Sequence, residues 1–145
     1  MAVVSGADAV WKGDLLSGGG SVTPASHAFS DLPLTWHARA ESREAGTSPE
    51  ELIAAAHAGC FAMALANTLA KAGHEPAELR TSARVTFQAG EGITGIHLTV
   101  EGDVPGLDAA AFLANAEAAK AGCPVSKALA AVPITLEAAL APGQA

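Results

Sequence analysis

Two cysteines, Cys60 and Cys123, are the residues of this chain best suited to covalent chemistry. They lie far apart in the sequence, so they form neither a CxxC redox motif nor a four-cysteine zinc site. A free cysteine is often only a small buried hydrophobe, but Gly59 removes the side chain next to Cys60 and could open a path to its sulfur. Both cysteines adjoin segments rich in Ala and Gly, where two backbones can approach closely. A disulfide between them needs Cα atoms within about 7 Å, and in a cytoplasmic protein it would be catalytic or sensory.

The environment of Cys123 favours its thiolate form. Pro124 follows it directly, and proline is common at the first position of a helix. The sequence therefore predicts a short helix that starts at Pro124, with Cys123 as its N-cap. Free backbone N–H groups at a helix start stabilise a thiolate and lower the pKa of the thiol.

A metal site is a second interpretation of the same residues. His57 and Cys60 are spaced to share one face of a helix. Together with Cys123 they could supply one imidazole and two thiolates around an open zinc position. A single pair at this spacing is weak support for zinc, and a core histidine with one bonded nitrogen is the alternative for His57.

A long helix is predicted to carry Cys60. Ser48 is suited to cap it, Pro49 fits its first position, and Glu51 completes a capping-box pattern. Glu50 and Glu51 both suit the positive end of the helix dipole. From the residues alone, this favourable place at the start of a helix accounts for Glu50 without a catalytic role.

The body of this helix is uncharged from Leu52 to Ala70, and Lys71 and Gly73 mark its end. The uncharged run is nearly long enough to cross a bilayer. It is mostly Ala and contains several polar side chains, so we expect a core helix of the protein and not a membrane span. A helix that is apolar on all sides is expected to be buried on all sides.

The sequence as a whole predicts a single α+β domain over residues 1–145, with antiparallel β-sheets packed around the long central buried helix. The order βββ-α-ββ-αα-β lacks the regular alternation of a parallel sheet. Strands are predicted at residues 8–15, 21–25, 34–41, 79–87, 93–104 and 134–140, and two further helices at 109–121 and from Pro124.

Charge and composition narrow the function classes. The net charge is −7, and the eight Lys and Arg residues form no cluster, which argues against nucleic-acid binding. The N-terminus lacks the basic and then apolar layout of a signal peptide. We therefore expect a cytoplasmic protein with neither nucleic acid nor membrane as a partner.

Two cysteine motifs resemble those of the OsmC/Ohr family, specifically its OsmC branch. The resemblance covers nearly the whole chain, with Gly59 standing where many members have Ala. It rests on residues 47–65 (TSPEELIAAAHAGCFAMAL) and 119–126 (AKAGCPVS), supported by 9–14 (AVWKGD), 36–41 (WHARAE) and 134–136 (ITL).

The resemblance implies a thiol peroxidase that reduces organic hydroperoxides to alcohols, in an oxidative or osmotic stress response. Cys60 matches the peroxidatic cysteine that becomes a sulfenic acid, and Cys123 the resolving cysteine that forms a disulfide with it. Glu50 matches the family's catalytic Glu and Arg39 the Arg of the OsmC branch. The family further implies an intertwined homodimer with sites at the subunit interface, a dihydrolipoyl or other dithiol reductant, and no metal or organic cofactor.

Physical chemistry is compatible with these roles. A thiol buried in an apolar helix has a raised pKa, so it needs a nearby cation, and Arg keeps its charge at any working pH. Arg39 is predicted on a strand, where it could instead be a solvated surface charge, and Arg43 in the following loop is a rival. An apolar surround from Trp36, Phe61 and Met63 would favour alkyl or fatty-acid hydroperoxides, although such residues are often ordinary core.

Two questions stay open at this point. The chain could instead be a non-enzymatic thiol sensor or a dimer that binds a small hydrophobic ligand.

The second question concerns Glu50 and Cys60, which are separated by about 15 Å along one helix and about 80° around it. If Glu50 belongs to the peroxide site, it must therefore serve the cysteine of another subunit, through two antiparallel copies of the helix that cross near residue 55.

Overall fold

The structure is a computed structural model that describes residues 1–42 and 46–142. Arg43, the rival of Arg39, lies outside the described residues, as does most of the C-terminal tail. The elements in chain order are β1 (Ala7–Lys12), β2 (Gly19–Pro24), β3 (Leu32–Leu34), α1 (Trp36–Ala40), α2 (Pro49–Lys71), β4 (Glu78–Gln88), β5 (Gly92–Asp103), α3 (Ala109–Gly122), α4 (Pro124–Ala128) and β6 (Ile134–Leu140).

The N-terminal strands form a small antiparallel sheet in the order β1-β2-β3. The predicted hairpin is confirmed, with Ala9 opposite Val22 and Lys12 opposite Gly19. The first strand ends at Lys12, earlier than predicted, since Gly13 takes a φ of 90° and turns the chain. All of β1 is exposed within the chain.

The prediction of a strand over residues 34–41 is wrong beyond Leu34. There β3 ends, and α1 follows with Thr35 as its N-cap, the Thr35 side chain accepting a hydrogen bond from the backbone N–H of Ala38. Alternating apolar residues over so short a run do not distinguish a half-buried strand from one helical turn. The Thr35 cap and good helix formers such as Ala and Arg decide for the helix. Arg39 consequently lies on a helix and not on a strand.

The second sheet has the order β4-β5-β6. The hairpin of β4 and β5 is antiparallel as predicted. The pairing of β6 corrects the expectation of purely antiparallel sheets, because β6 runs parallel to β5, with Ile96 opposite Ile134 and Gly102 opposite Leu140. The chain between them holds α3 and α4, which is long enough for the crossover connection that a parallel pair requires. The α+β class is confirmed.

The cap of α2 is as predicted, with the Ser48 side chain accepting from the backbone N–H of Glu51. The helix packs on β4, α3 and α4. It buries a stripe at every fourth residue, including His57, Phe61, Leu65 and Leu69. Within one chain the opposite face remains exposed, so the helix is buried on one side and not on all sides.

Length and composition would also let α2 cross a bilayer, the one such helix in the described ranges, with 22% of its most apolar window buried. The core helix of a soluble protein can have the same length and apolar composition. Its contacts with a sheet and two helices are those of a core helix.

The core lies between α2, α3 and the inner face of the second sheet. Phe112 of α3 is fully buried against β5, where a Cβ on Gly102 would lie 2.5 Å from the Phe112 ring. The glycine therefore makes room for the ring and lets α3 approach the sheet. The contact lies in the first turn of α3, and the other end of this helix leads into Cys123.

Candidate active site

The two cysteines meet in the fold. Cys60 lies in the middle of α2, and Cys123 lies between α3 and α4 as the N-cap of α4. Their sulfurs are 3.1 Å apart, which is hydrogen-bond distance, and both are free thiols. Cys123 is fully buried, whereas Cys60 is partly exposed. The fold thus holds a reduced thiol pair that needs only a small movement to form a disulfide.

The two thiols differ in acidity. Burial raises the pKa of Cys60, and the contact with Cys123 adds to this. Burial also acts to raise the pKa of Cys123. The backbone N–H of Ser126, the Cys60 thiol and the Ser126 hydroxyl favour the charged thiolate, and together they outweigh burial and lower that pKa. Within one chain, negative charge is therefore more stable on Cys123 than on Cys60.

A groove beside Cys60 gives access to its sulfur. It is lined by Gly59, Met63 and Asn67 of α2 and by Gly122 and Pro124 across from them. A Cβ at Gly59 would meet nothing within 4 Å, which agrees with the open path expected there.

Of the predicted apolar surround, Met63 lies in this groove and is 76% exposed. Phe61 points the other way and is fully buried in the core. The sequence pattern could not separate these two residues, because both belong to the same apolar run.

Arg39 and Glu50 form a second cluster. Arg39 Nη2 donates to Glu50 Oε1 at 2.7 Å, and its Nε donates to both carboxylate oxygens at 3.0 and 3.2 Å. The Glu50 side chain is 1% exposed and that of Arg39 is 35% exposed. The guanidinium therefore covers the carboxylate and presents its outer side to solvent.

Aromatic rings hold this ion pair from the sheet side. The Arg39 guanidinium carbon lies 4.5 Å from the centroid of the Phe87 ring, a cation–π contact. Trp36 meets Phe87 edge-on with centroids 6.0 Å apart. Trp36 and Arg39 also line an apolar cavity of about 300 Å³ with Trp11 and Leu15. Phe87 was not singled out from the sequence, because nothing in a strand's alternation marks a ring that will stack on a cation.

The structure brings the four predicted site residues together as two pairs and does not unite the pairs within one chain. Cys60 with Cys123 opens onto the groove between α2 and α3, whereas Arg39 with Glu50 opens onto the cavity under β1 and β3. The Arg39 cation therefore does not offset the burial of Cys60 in its own chain.

A buried hydrogen bond joins α2 to α4 behind the thiols. His57 Nε2 lies 2.7 Å from Ser126 Oγ, and the two residues are 0% and 6% exposed. Burial lowers the pKa of His57, so the ring is neutral. The prediction of a core histidine with one bonded nitrogen is confirmed, since Nδ1 has no hydrogen-bond partner among the described residues.

Sequence reasoning missed Ser126. One signal could have found it, because a side chain three positions after an N-cap is placed to interact with that N-cap.

In the described part of the chain, no group of three or more His, Cys, Asp or Glu side chains could hold a metal ion. The zinc interpretation of His57, Cys60 and Cys123 is therefore not supported.

Comparison with known proteins identifies the family. Residues 41–137 match the family described as OsmC-like protein. The chain is 46% identical over 130 residues to the protein named Peroxiredoxin OsmC of Escherichia coli (strain K12), a match that covers 88% of this chain and 90% of that protein. A protein of the same name from Shigella flexneri matches equally well. The chain belongs to the OsmC family.

Solved structures agree on the fold. The organic hydroperoxide resistance protein OhrB of Bacillus subtilis superposes with a TM-score of 0.67 at 26% identity, covering 92% of this chain and 97% of that chain. A Legionella pneumophila structure described as an organic hydroperoxide resistance protein OsmC gives a TM-score of 0.68 at 19% identity, covering 97% and 99%. At that lower identity the likeness concerns the fold alone.

Proposed function

We propose that this chain is a peroxidase that reduces organic hydroperoxides to alcohols, with Cys60 as the peroxidatic and Cys123 as the resolving cysteine. The observation that carries the proposal is the 3.1 Å distance between the two sulfurs, contributed by separate helical segments. The 46% identity to a protein named Peroxiredoxin OsmC supports a peroxide-reducing redox enzyme.

The proposed reaction balances in two steps. The Cys60 thiolate attacks the terminal oxygen of the hydroperoxide, the O–O bond breaks, and the alkoxide leaves and takes up a proton to become the alcohol. Cys60 is then a sulfenic acid. Cys123 attacks its sulfur as a thiolate, so an S–S bond forms, the S–O bond breaks, and hydroxide takes a proton to become water. An external dithiol, such as a dihydrolipoyl group, then reduces the Cys60–Cys123 disulfide by thiol–disulfide exchange.

The first step needs a cation that one chain does not supply at Cys60. Burial raises the pKa of that thiol, whereas the exposed side of the Arg39 guanidinium faces a separate cavity. We propose that a second copy of the chain brings its Arg39, held by its Glu50, to Cys60. A guanidinium there would stabilise the thiolate and donate to the peroxide oxygens.

The geometry of α2 supports a twofold pairing of this kind. Its open face, formed by Ala55, Gly59, Met63 and Asn67, repeats every fourth residue and is exposed in the single chain. Two such helices packed antiparallel and crossing near residue 55 would place residue 50 of one beside residue 60 of the other. Small side chains at the crossing permit close approach, and a twofold contact completes both sites at once.

The surroundings of both clusters favour an apolar substrate. Trp11 and Leu15 are exposed beside the Arg39 cavity, and Met63 is exposed beside Cys60. A site formed between them would favour alkyl or fatty-acid hydroperoxides over hydrogen peroxide. We further propose that the protein works in the cytoplasm, in the response to oxidative and osmotic stress.

Steady-state turnover tests this function. Purified protein with a dihydrolipoyl reductant should consume cumene hydroperoxide over many cycles and release cumyl alcohol, and hydrogen peroxide should be the poorer substrate. A thiol sensor, the alternative, would react once per chain and stop even with reductant present. Consumption limited to one equivalent would therefore refute the enzymatic proposal.

A further inference from the structure

His57 is a buried polar side chain for which the proposed reaction gives no role. It lies three residues before Cys60 on α2 but makes its hydrogen bond to Ser126 on α4. Ser126 in turn lies at the third position of the helix that Cys123 caps, a spacing that places its side chain near that N-cap. Its backbone N–H and its hydroxyl both act to lower the pKa of the Cys123 thiol. The chain of groups therefore runs from His57 through Ser126 to the resolving sulfur.

The direction of the hydrogen bond follows from the unpaired nitrogen. A neutral imidazole carries one N–H and one lone-pair nitrogen. If the proton were on Nδ1, a buried N–H donor would have no acceptor, since residues 1–42 and 46–142 offer Nδ1 no hydrogen-bond partner. With the proton on Nε2, that donor is satisfied by Ser126 Oγ, and a lone pair is all that stays unpaired. The Ser126 hydroxyl then accepts from His57 and keeps its own proton for another acceptor.

When Cys123 is a thiolate, its sulfur can accept the hydrogen bond that the Ser126 hydroxyl donates. As a thiol, Cys123 makes no side-chain capping hydrogen bond at the start of α4, and a neutral sulfur is a weak acceptor. A thiolate is a stronger acceptor, and hydrogen bonds to charged groups are about twice as strong as neutral ones. Cys123 carries negative charge as the thiolate that attacks the Cys60 sulfenic acid, and negative charge returns to it when the disulfide is reduced and Cys123 leaves.

We propose that His57 is a positioning residue for Cys123: its Nε2–H holds the Ser126 hydroxyl in the orientation that donates to the Cys123 thiolate. The consequence for turnover rests on the proposed function, but the interaction itself does not. His57 takes no proton in this arrangement, because a fully buried ring stays neutral. Cys60 is the other titratable group against Cys123, at 3.1 Å across from α2.

The composition of the chain allows a clean measurement. The protein has two cysteines and no tyrosine, so in a Cys60→Ser background the ultraviolet absorbance of a thiolate reports Cys123 alone, without interference from tyrosinate. Titrating this absorbance against pH gives the pKa of Cys123 without alkylating a buried sulfur and without peroxide. The Ser hydroxyl at position 60 still offers a hydrogen-bond donor to Cys123.

Three variants in that background test the proposal. Ser126→Ala and His57→Leu should each reduce the acid dissociation constant of Cys123 by about tenfold, the worth of one hydrogen bond to a charged group. His57→Gln can still place an N–H near Ser126 and should retain most of the effect. Combining His57→Leu with Ser126→Ala should shift the pKa no further than Ser126→Ala alone, because both remove the same donor.

Thr81→Val provides a matched control. It removes a hydroxyl that donates to the backbone carbonyl of Ala58 at 2.9 Å, next to His57 on α2. In the described structure this hydroxyl makes no hydrogen bond to either cysteine. This variant should lower stability while the pKa of Cys123 stays unchanged. A shift equal to that of His57→Leu would show that any loosening of α2 moves the pKa, and would overturn the proposal.

Two other results would also refute the positioning role. One is a Ser126→Ala variant whose Cys123 pKa equals that of the parent. The other is His57→Gln behaving like His57→Leu, which would mean that the imidazole only fills space. If His57→Leu does not fold, Ser126→Ala and His57→Gln still decide the matter. Failure of the peroxidase assay would leave the titration unaffected, so the two proposals fail separately.

Discussion

Arg39 covers the buried carboxylate of Glu50 from above, with Nη2 and Oε1 2.7 Å apart. The pair spans the junction between α1 and the first turn of α2. Glu50 is thus fully buried yet charge-compensated, and the guanidinium keeps one side free. A carboxylate at the start of α2 serves here to orient a cation, in addition to its favourable place at the positive end of the helix dipole.

Removing the Arg39 charge should destabilise the fold. Arg39→Ala leaves the Glu50 carboxylate buried without a partner, and we expect a loss of about 2–3 kcal/mol in the free energy of unfolding, somewhat below that of a fully buried pair. Chemical denaturation at fixed protein concentration measures this change. Arg80→Ala is the matched control, because Arg80 pairs with Glu78 in an exposed ion pair and should change stability little.

The double variant Arg39→Ala with Glu50→Gln separates charge from packing. It should be more stable than Arg39→Ala alone, since no uncompensated carboxylate is left. Equal stability of the two variants would contradict the view that the Glu50 charge is the cause.

Mixing two inactive variants should restore activity. Cys60→Ser lacks the nucleophile and Glu50→Ala lacks the group that orients Arg39, so a dimer with one copy of each would hold one site with both lesions and one with none. We expect up to about half of the wild-type activity per mixed dimer, as two equivalent sites require. Activity is measured after subunit exchange has been demonstrated with tagged copies. Exchange without recovery would mean that Glu50 acts within its own chain or not at all.

The two cysteines should differ in what they do with one equivalent of peroxide. Cys60→Ser should not reduce peroxide. Cys123→Ser should consume about one equivalent of peroxide per chain and leave Cys60 as a sulfenic acid prone to further oxidation. Mass spectrometry after stoichiometric cumene hydroperoxide locates the added oxygen. Turnover retained in Cys60→Ser, with oxidation on Cys123, would reverse the assignment of the two roles and would agree with the lower pKa of Cys123.

Peroxide should link Cys60 to Cys123 within one chain, since their sulfurs already lie 3.1 Å apart in a single copy. Non-reducing electrophoresis of oxidised wild-type protein should therefore show no covalent dimer, and peptide mapping should recover the linked pair. A dominant disulfide-bonded dimer would show that the resolving thiol comes from the other copy.

His57 should make the fold less stable in acid. Burial lowers its pKa in the folded state below the ordinary value of 6.5, so below that pH the unfolded chain binds more protons than the folded one. Stability should therefore fall as the pH drops below 6.5, by at most about 1.4 kcal/mol per pH unit from this group. The difference in unfolding free energy between wild type and His57→Gln, measured on reduced protein from about pH 5 to about pH 8, isolates this contribution. A difference that does not vary with pH would show that His57 does not titrate on unfolding.

Local signals in the sequence determined most elements of the fold. The Ser48 cap, the following proline and the uncharged run define α2, and alternation with turn glycines defines the hairpins. Both patterns depend on neighbours within a few residues, which a sequence displays directly. The two cysteine motifs, through their resemblance to a family, also determined the expected chemistry.

Tertiary contacts decided what these local signals could not. The wrong strand through Arg39 is a different case, since there the local Thr35 cap outweighed a short alternating pattern. The pairing of β6 is tertiary, because α3 and α4 return the chain so that β6 runs parallel to β5. The bonds from Arg39 to Glu50 and from His57 to Ser126 each join different helices. Such contacts depend on how helices pack in three dimensions, and no periodicity along the chain encodes which side chains will meet.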